Sequence, residues 1–317
     1  MQIVPTMPVD ELIDTIVVAE SLGYGYAMVA DEGLMHDVYA TLGAAAKATS
    51  TIRLGAVTNP YTRHPAATAA AIATIDQLSG GRAFLTLVAG GTMVLHPMGI
   101  DRKSPLGAVD DTIEICRRLW TGHEVTWQGH VHHLQGASLG TGPHDIPIWV
   151  AARGERLLEL AGAKADGVVL MAKSDLGPAT ELVWAAGRDR EVAAIYLDRL
   201  AFTPEMIEEA KGLYAYAILD SPPRMLANLG IDGPTIEAMR AAFQSGGPAG
   251  VAPLVTDEMV SAYQIAGDPQ SCRAQLGRLI DTHRLDGFML NIISPGIESN
   301  TALLSEVMSI VRGATDE

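Results

Sequence analysis

Pairs of polar and charged residues follow several short apolar stretches of this sequence, and their types suit proton transfer. Asp31 and Glu32 come directly after the stretch Ala27–Ala30, where two neighbouring carboxylates could exchange a proton with a ligand or orient it. Asp31 could equally be the N-cap of the following helix. His36 is a further candidate, because an imidazole gains and loses a proton near neutral pH. This segment therefore holds the strongest acid–base candidates of the chain.

The stretch Val57–Pro65 concentrates polar and cationic residues between two prolines. Proline restricts its own backbone and that of the residue before it, so the path would be extended and rigid. Asn59, Arg63 and His64 would then be held in place beside a ligand. The alternative is a rigid loop that caps the next helix and leaves Arg63 and His64 at the surface.

Glycines and small residues elsewhere suit a planar, negatively charged ligand. Gly90 and Gly91 would allow a ring to approach the backbone closely, or would form a tight turn. The segment Ala151–Glu155 opens a predicted helix with small residues, so its N–H groups could bind a phosphate with added charge from Arg153. Lys173 could pair with a phosphate or carboxylate, or remain solvated.

The elements that must position these residues alternate regularly along the chain. The predicted strands are Gln2–Val4, Ala27–Ala30, Ile52–Val57, Ala83–Val88, Ile148–Ala151, Gly167–Met171, Val192–Leu197 and Phe288–Ile292. The predicted helices are Val9–Leu22, Val38–Thr49, Ala66–Leu78, Pro105–Trp120, Glu155–Ala163, Leu176–Arg188, Pro204–Leu229 with a break at Ser221-Pro222-Pro223, and Pro269–His283.

Eight strand–helix units with strands apolar on both faces predict an α/β fold, a (β/α)8 TIM barrel. A doubly wound sheet is the alternative, but the glycine pattern G-x-G-x-x-G does not follow the first strand. Since the active sites of such barrels lie at the carboxyl ends of the strands, the candidate residues are expected around one mouth.

A predicted β-hairpin interrupts the alternation. The segment His123–Leu139 has short alternating stretches around a Gln128-Gly129 turn. Strand alternation would direct His130 and His132 to one face and His133 to the other, without nearby acids or thiols to complete a metal site. We therefore predict a surface hairpin and no metal.

A helical insertion is predicted over Leu200–Met259, which is longer than one helix, and residues 1–317 are predicted to form one domain.

The two cysteines are too few for a disulfide framework, which favours a reducing compartment. Without features of a secretory signal at the N-terminus, the predicted location is the cytoplasm.

Composition excludes several function classes. The chain has 317 residues, 48% apolar and 19% charged, with a mean hydropathy of +0.18, so it can bury a large core and is not disordered. Its 22 Lys and Arg against 37 Asp and Glu give a net charge of −15. This charge argues against nucleic acids and anionic membranes as partners, whereas local amides could still bind a small anion.

Several motifs make the chain similar to the bacterial-luciferase-like superfamily of flavin- and deazaflavin-dependent barrel enzymes. The resemblance extends from about Pro5 to the C-terminus. Its motifs are Ile52–Gly55 leading into Val57–Pro65, Ile75–Arg82, Arg117–Gly122, Pro147–Ala152, Leu158–Gly162 and Ala165–Val168. Within the superfamily, Val57–Pro65 and Ser221-Pro222-Pro223 resemble methylenetetrahydromethanopterin reductases, which use coenzyme F420.

The resemblance implies that the mouth of the barrel holds F420, with FMN as the alternative cofactor. It also implies a non-proline cis peptide at Ala56–Val57 behind the ring, a phosphate on the amides of Ala152–Gly154, and a homodimer or higher homo-oligomer. The residues implied to contact the cofactor are Asp31, Ala56, Val57, Thr58, Asn59, Gly90, Gly91, Ala151, Ala152, Arg153, Gly154, Met171 and Lys173.

The chain departs from the family pattern at three positions that handle protons. It has Gln2 and Gly91 where the reductases have acidic residues, and Glu32 where a histidine commonly follows the aspartate of strand two. We therefore predict Glu32 as the catalytic acid or base, with His36 or a held water as the alternative. The predicted function is hydride transfer between F420 and a small organic substrate. The alternatives are an FMNH2-dependent two-component monooxygenase and a non-catalytic, cofactor-binding relative.

Overall fold

Parallel strands form the closed barrel that the strand–helix alternation predicts. The computed structural model describes residues 1–293 and 296–315. In this part of the chain the strands are β1 (Gln2–Ile3), β2 (Tyr26–Ala30), β3 (Arg53–Thr58), β4 (Ala83–Leu87), β5 (Val125–Gln128), β6 (His133–Ala137), β7 (Ile148–Ala151), β8 (Gly167–Leu170), β9 (Ala193–Asp198) and β10 (Gly287–Ile292). All except β5 and β6 pair in the closed order β1-β2-β3-β4-β7-β8-β9-β10, which confirms the predicted (β/α)8 barrel.

Helices cover the outside of the barrel. They are α1 (Val9–Leu22), α2 (Val38–Ala48), α3 (Pro65–Ser79), α4 (Thr92–Leu95), α5 (Pro105–Leu119), α6 (Glu155–Lys164), α7 (Leu176–Gly187), α8 (Pro204–Leu219), α9 (Pro223–Asn228), α10 (Gly233–Val251), α11 (Asp257–Tyr263), α12 (Pro269–His283) and α13 (Ile297–Thr315). The sequence prediction has no counterpart of α13, although Leu304, Val307 and Ile310 are buried at helical spacing. No helix among the described residues has the length and apolar character needed to cross a membrane.

Two layers of apolar side chains pack on the two faces of the barrel strands. The inner cluster contains Met28, Val57, Phe84, Trp149, Ala151, Val169, Ile195, Leu197 and Met289. The outer cluster lies between strands and helices, and Ala56 belongs to it because neighbouring residues of a strand face opposite sides. A Cβ atom at Gly55 would lie 2.5 Å from the Phe84 ring. The missing side chain at Gly55 is therefore what lets an aromatic ring fill the barrel.

Strand β3 runs regularly, so the predicted cis peptide at Ala56–Val57 is wrong. None of the described residues has a cis peptide bond. Ala56 pairs with Val29 on one side and Leu85 on the other, and the same register continues through Thr58. Because both neighbouring strands hold β3 in continuous parallel register, the strand has no bulge at this point.

The predicted hairpin is confirmed, with a turn that differs from the prediction. Residues Gly129–His132 form the turn, so His130 and His132 are turn residues and only His133 lies in β6. The carboxylate of Asp111 in α5 accepts hydrogen bonds of 2.9, 2.6 and 2.9 Å from the three backbone N–H groups of residues 130–132. The buried Asp111 carboxylate therefore holds the hairpin on α5, and residues 130–132 form a turn instead of continuing the strands.

The predicted insertion forms a helical layer with its own small core. Helices α8 and α9 flank the predicted break at Ser221-Pro222, and the Ser221 hydroxyl hydrogen-bonds the Tyr263 hydroxyl of α11. Tyr214, Tyr263 and Ala172 share one buried cluster. Since Ala172 directly follows β8, this layer packs against the carboxyl end of the barrel.

Candidate active site

The carboxyl ends of β2, β3 and β4 bring the first group of predicted residues together. Parallel pairing continues beyond these strands, since Asp31 N donates to the Val57 carbonyl at 2.8 Å and Val88 N donates to the Thr58 carbonyl at 2.9 Å. The residues that follow the strands, among them Glu32, therefore surround one part of the mouth.

Asp31 is a hydrogen-bonded carboxylate and not a helix cap. Its Oδ2 accepts bonds from the hydroxyl of Thr58 at 2.7 Å and of Thr62 at 3.2 Å, and its Oδ1 accepts from Gly33 N at 3.2 Å. The N-cap of α2 is Asp37, whose side chain accepts from two backbone N–H groups of the first turn. The geometry thus excludes the capping interpretation of Asp31.

Glu32 has the electrostatics expected of a proton donor. Burial raises the pKa of its carboxyl group, and the neighbouring negative charge of Asp31 raises it further. A carboxyl group that keeps its proton toward neutral pH can donate it during a reaction. His36 is exposed at the far side of the same loop, beside the exposed apolar side chains of Leu34 and Met35.

The loop after β3 is held by internal hydrogen bonds, and its cations contact Asp37, Tyr39 and the first turn of α3. The Asn59 side chain is buried, and its Oδ1 accepts the N–H groups of the next turn. Arg63 forms a 2.9 Å ion pair with Asp37 and lies 4.1 Å from the centroid of the Tyr39 ring. His64 caps α3 through Nδ1. For Arg63 and His64, the structure matches the alternative of a capping loop.

The two glycines after β4 differ in their surroundings. Gly90 has a φ of +83°, and a Cβ atom there would lie 3.0 Å from Leu95 and 3.1 Å from Tyr61. Arg102 donates a 3.1 Å hydrogen bond to the Gly90 carbonyl. Gly91 is the N-cap residue of α4, and a Cβ atom there would meet nothing within 4 Å. The conformation requires glycine at 90, whereas the space at 91 is open.

The sequence predicts an anion site at the N-terminus of α6. Ala151 and Ala152 are buried, and the N-cap residue Gly154 supplies no side-chain hydrogen bond to the first turn. A Cβ atom at Gly154 would meet nothing within 4 Å, so there is open space beside this residue. The Arg153 guanidinium turns toward α8, where it donates to the Ala217 carbonyl at 3.1 Å.

Met171 and Lys173 follow β8 and point in different directions. Met171 packs against the inner apolar cluster of the barrel. Lys173 donates a 3.3 Å hydrogen bond to Gln275 of α12, and burial lowers the pKa of its ammonium group. The contact of Lys173 is thus with α12, not with the N-terminus of α6.

Comparison with known proteins identifies the family of this barrel. The luciferase-like monooxygenase family matches residues 1–283. The chain belongs to this family.

Reductases resemble this family member over most of its length. The 5,10-methylenetetrahydromethanopterin reductase of Archaeoglobus fulgidus is 34% identical over 298 residues, which cover 88% of the chain and 89% of the relative. The enzyme of the same name from Methanolobus tindarius is 34% identical over 295 residues, covering 89% and 90%. The structure of the coenzyme F420-dependent tetrahydromethanopterin reductase from Methanopyrus kandleri superposes with a TM-score of 0.88 at 25% identity, covering 98% of this chain and 97% of the other.

This luciferase-like barrel has a second polar group, at the end of β9, that sequence reasoning missed. Asp198 Oδ1 accepts from Arg199 N at 2.6 Å and from the Tyr214 hydroxyl at 2.7 Å. Its Oδ2 accepts from the Tyr196 hydroxyl at 3.0 Å and from Ile265 N at 2.6 Å. Burial raises the pKa of Asp198, while these donors act in the opposite direction.

The sequence does contain a signal for part of this second polar group. The pair Asp198-Arg199 follows a predicted strand just as Asp31-Glu32 does, so the same rule applied to β9 would have found it. Tyr214 comes from α8 in the helical layer. No local pattern predicts that its hydroxyl meets Asp198, because the contact depends on how the layer packs on the barrel.

Proposed function

We propose that this chain is an oxidoreductase that transfers a hydride between coenzyme F420 and a small organic substrate. The observation that carries the proposal is the likeness to the F420-dependent reductase structure, with a TM-score of 0.88 over 98% of the chain. When bound, F420 supplies the ring carbon that gives or takes the hydride. The protein has to bind the two reactants, orient them and handle any proton.

The N-terminus of α6 fits a phosphate of the cofactor. Its first turn receives no side-chain cap from Gly154, and a Cβ atom at Gly154 would meet nothing within 4 Å. The positive end of the helix dipole attracts an anion despite the net charge of −15. The N–H groups of Arg153 and Gly154 would bind the charged tail beside Ala151 and Ala152, since Ala152 N itself already donates to the Val169 carbonyl at 3.2 Å.

The ends of β2, β3, β4 and β8 would line the ring of the cofactor. Val57 and Met171 belong to the inner apolar cluster and provide a surface for a flat ring. Ala56 could contribute only backbone, because its side chain lies in the outer core. The other proposed contacts are those of Asp31, Thr58, Asn59, Gly90, Gly91 and Lys173.

We assign proton transfer to Glu32. The β1 position that is acidic in the reductases is here Gln2, whose Nε2 lies 3.5 Å from Oδ1 of Asn291 in β10, a contact between two neutral amides. Glu32 has a raised pKa, which allows its carboxyl oxygen to hold a proton for the substrate. His36, or a water held between His36 and Glu32, is the second candidate.

A titration of the purified chain with oxidised F420, followed by the quenching of F420 fluorescence, tests the cofactor. FMN serves as the matched ligand, because it carries a similar ring and a phosphate. We expect micromolar binding of F420 and weaker binding of FMN. Tighter binding of FMN, with oxygenated product formed from FMNH2 and oxygen, would contradict the proposal and favour a monooxygenase. F420 binding with no turnover of any tested substrate, and no effect of Glu32→Gln on that binding, would favour a non-catalytic relative.

We further propose a homodimer or higher homo-oligomer working in the cytoplasm. Cys116 and Cys272 are both free and buried, as suits a reducing compartment. The net charge of −15 does not favour nucleic acid as a partner. Light scattering coupled to gel filtration measures the mass of the assembly, and a mass of about 33.5 kDa, that of one chain, would contradict the oligomer.

A further inference from the structure

A cavity of about 90 Å3 lies under α8, at the ends of β8, β9 and β10. Its polar wall includes Arg153 and Arg199, and its apolar wall includes Met171, Leu197 and Leu213. The cavity is separate from the Asp31–Thr58 cluster at the ends of β2 and β3. It therefore offers a second compartment of the mouth, on the side opposite the proposed proton donor.

Two arginines supply the positive charges that line this cavity. Asp198 also lines it, but each of its carboxylate oxygens already accepts two hydrogen bonds, all from hydroxyl or backbone N–H groups of the protein. Guanidinium groups bind carboxylates and phosphates with charge-assisted hydrogen bonds.

An adjoining cavity of about 100 Å3 adds a hydrogen-bond acceptor. It shares Arg199, Leu213 and Asn291 with the first cavity and is also lined by Gln264 and Glu209. Gln264 is only 2% exposed, and its side-chain oxygen has no hydrogen-bond partner among the described residues. A buried acceptor without a donor is unfavourable, so an N–H or O–H group of a ligand would stabilise it.

We propose that the two adjoining cavities bind the second substrate, and that this substrate is an organic acid with an apolar body and an N–H or O–H group near its acid. This inference rests on the proposed function, because the ligand is a substrate only if the chain is the proposed oxidoreductase. Its acid group would meet Arg153 and Arg199, and its donor group would meet Gln264. The cofactor also carries acidic groups, but the positive end of α6 suits its phosphate, and Arg153 donates instead to the Ala217 carbonyl of α8.

Calorimetric titration of the full chain without F420 tests the charge requirement, with hexanoate as the probe and hexanamide as its uncharged counterpart. We expect hexanoate to bind at least about tenfold more tightly than hexanamide, the size of a charge-assisted hydrogen bond. Arg199→Gln and Arg153→Gln should remove most of this preference. Arg199→Lys keeps the charge and should retain part of it. The matched control is Arg240→Gln, which removes the same charge from an exposed ion pair with Glu237.

A second probe, 6-hydroxyhexanoate, tests the donor group. Its hydroxyl should improve binding over hexanoate in the wild type and give no improvement in Gln264→Met. Equal binding of hexanoate and hexanamide, or an equal loss in Arg240→Gln and Arg199→Gln, would overturn the proposal. So would a hydroxyl effect that persists in Gln264→Met.

Titration of the same variants with F420 separates the two proposals. If Arg199→Gln and Arg153→Gln lose affinity for F420 and keep it for hexanoate, these arginines serve the cofactor and the substrate assignment is wrong. If the wild type binds hexanoate as expected but does not bind F420, the proposed function fails and the organic-acid site remains. Melting temperatures by circular dichroism identify any variant that does not fold.

Discussion

The hydroxyl of Thr58 donates a 2.7 Å hydrogen bond to Oδ2 of Asp31 and so connects the ends of β3 and β2. Thr58 is 1% exposed, and the same carboxylate oxygen also accepts from Thr62. The contact joins two of the residues proposed to lie at the ring of the cofactor. Its hydrogen-bond geometry holds the Asp31 carboxylate toward β3 and leaves Glu32, the next residue, as the acid–base candidate.

Replacing Thr58 by valine should reduce both stability and cofactor affinity. The substitution keeps the size of the side chain and removes one donor to a carboxylate, which costs about 1.5–3 kcal/mol of unfolding free energy. Urea denaturation measures the loss, and F420 fluorescence measures the affinity. Thr74→Val is the control, because the exposed Thr74 hydroxyl bonds only to the Ala70 carbonyl of its own helix. An equal loss in both variants would contradict a special role for Thr58.

Glu32→Gln should lower kcat about 100-fold or more if Glu32 is the general acid. Because the pKa of Glu32 is raised, wild-type activity in the reducing direction should fall as the pH rises through that pKa. The variant should lack this ionisation. A pH profile of kcat with the same decline in Glu32→Gln would assign the proton to another group, with His36→Gln as the next variant.

The raised pKa of Glu32 also predicts how the unfolding free energy depends on pH. A raised folded pKa means that the contribution of Glu32 to stability is full below the ordinary glutamate pKa, about 4.3, and is lost as the pH rises through the raised value. Glu32→Gln cannot ionise, so its unfolding free energy relative to wild type should increase from acidic to neutral pH. Urea denaturation at several pH values measures the difference, and a constant difference would contradict the raised pKa.

Asp111→Asn should destabilise the hairpin. Burial raises the pKa of Asp111, but the hydrogen bonds from the backbone of residues 130–132 outweigh it and hold the pKa below its ordinary value. Its stabilisation is therefore present above the ordinary aspartate pKa and lost as the pH falls through the lowered one. We expect a loss of about 2 kcal/mol near neutral pH. Asp110→Asn, which breaks an ion pair with Lys164 on the same helix, should cost less than about 1 kcal/mol.

Gly55→Ala should disturb the inside of the barrel. The new Cβ atom would lie 2.5 Å from the Phe84 ring, and such overpacking costs about 1–3 kcal/mol. At Gly25 a Cβ atom would meet nothing within 4 Å, so Gly25→Ala should leave the unfolding free energy almost unchanged. The double variant Gly55→Ala with Phe84→Leu should recover part of the loss. No difference between the two alanine variants would show that the ring can move aside.

Local patterns were sufficient to predict the barrel. Stretches apolar on both faces predicted the eight buried strands, and the break at Ser221-Pro222-Pro223 marks the boundary between α8 and α9. The motifs around Val57–Pro65 were sufficient for the family, which the match over residues 1–283 confirms. These features are readable because strand and helix periods repeat within a few residues.

Contacts between distant segments determined the rest. Asp111 binds the backbone of residues 130–132, so His130 and His132 lie in a turn and not in a strand. Continuous pairing on both sides of β3 accompanies a trans peptide at Ala56–Val57. The helical layer brings Tyr214 to Asp198 and covers the cavity of Arg153 and Arg199. Such contacts follow from the packing of one element on another, and the energy that selects them is shared among residues far apart in the chain. No window of sequence contains that information, which is why the compartment proposed for the substrate emerged from the folded chain alone.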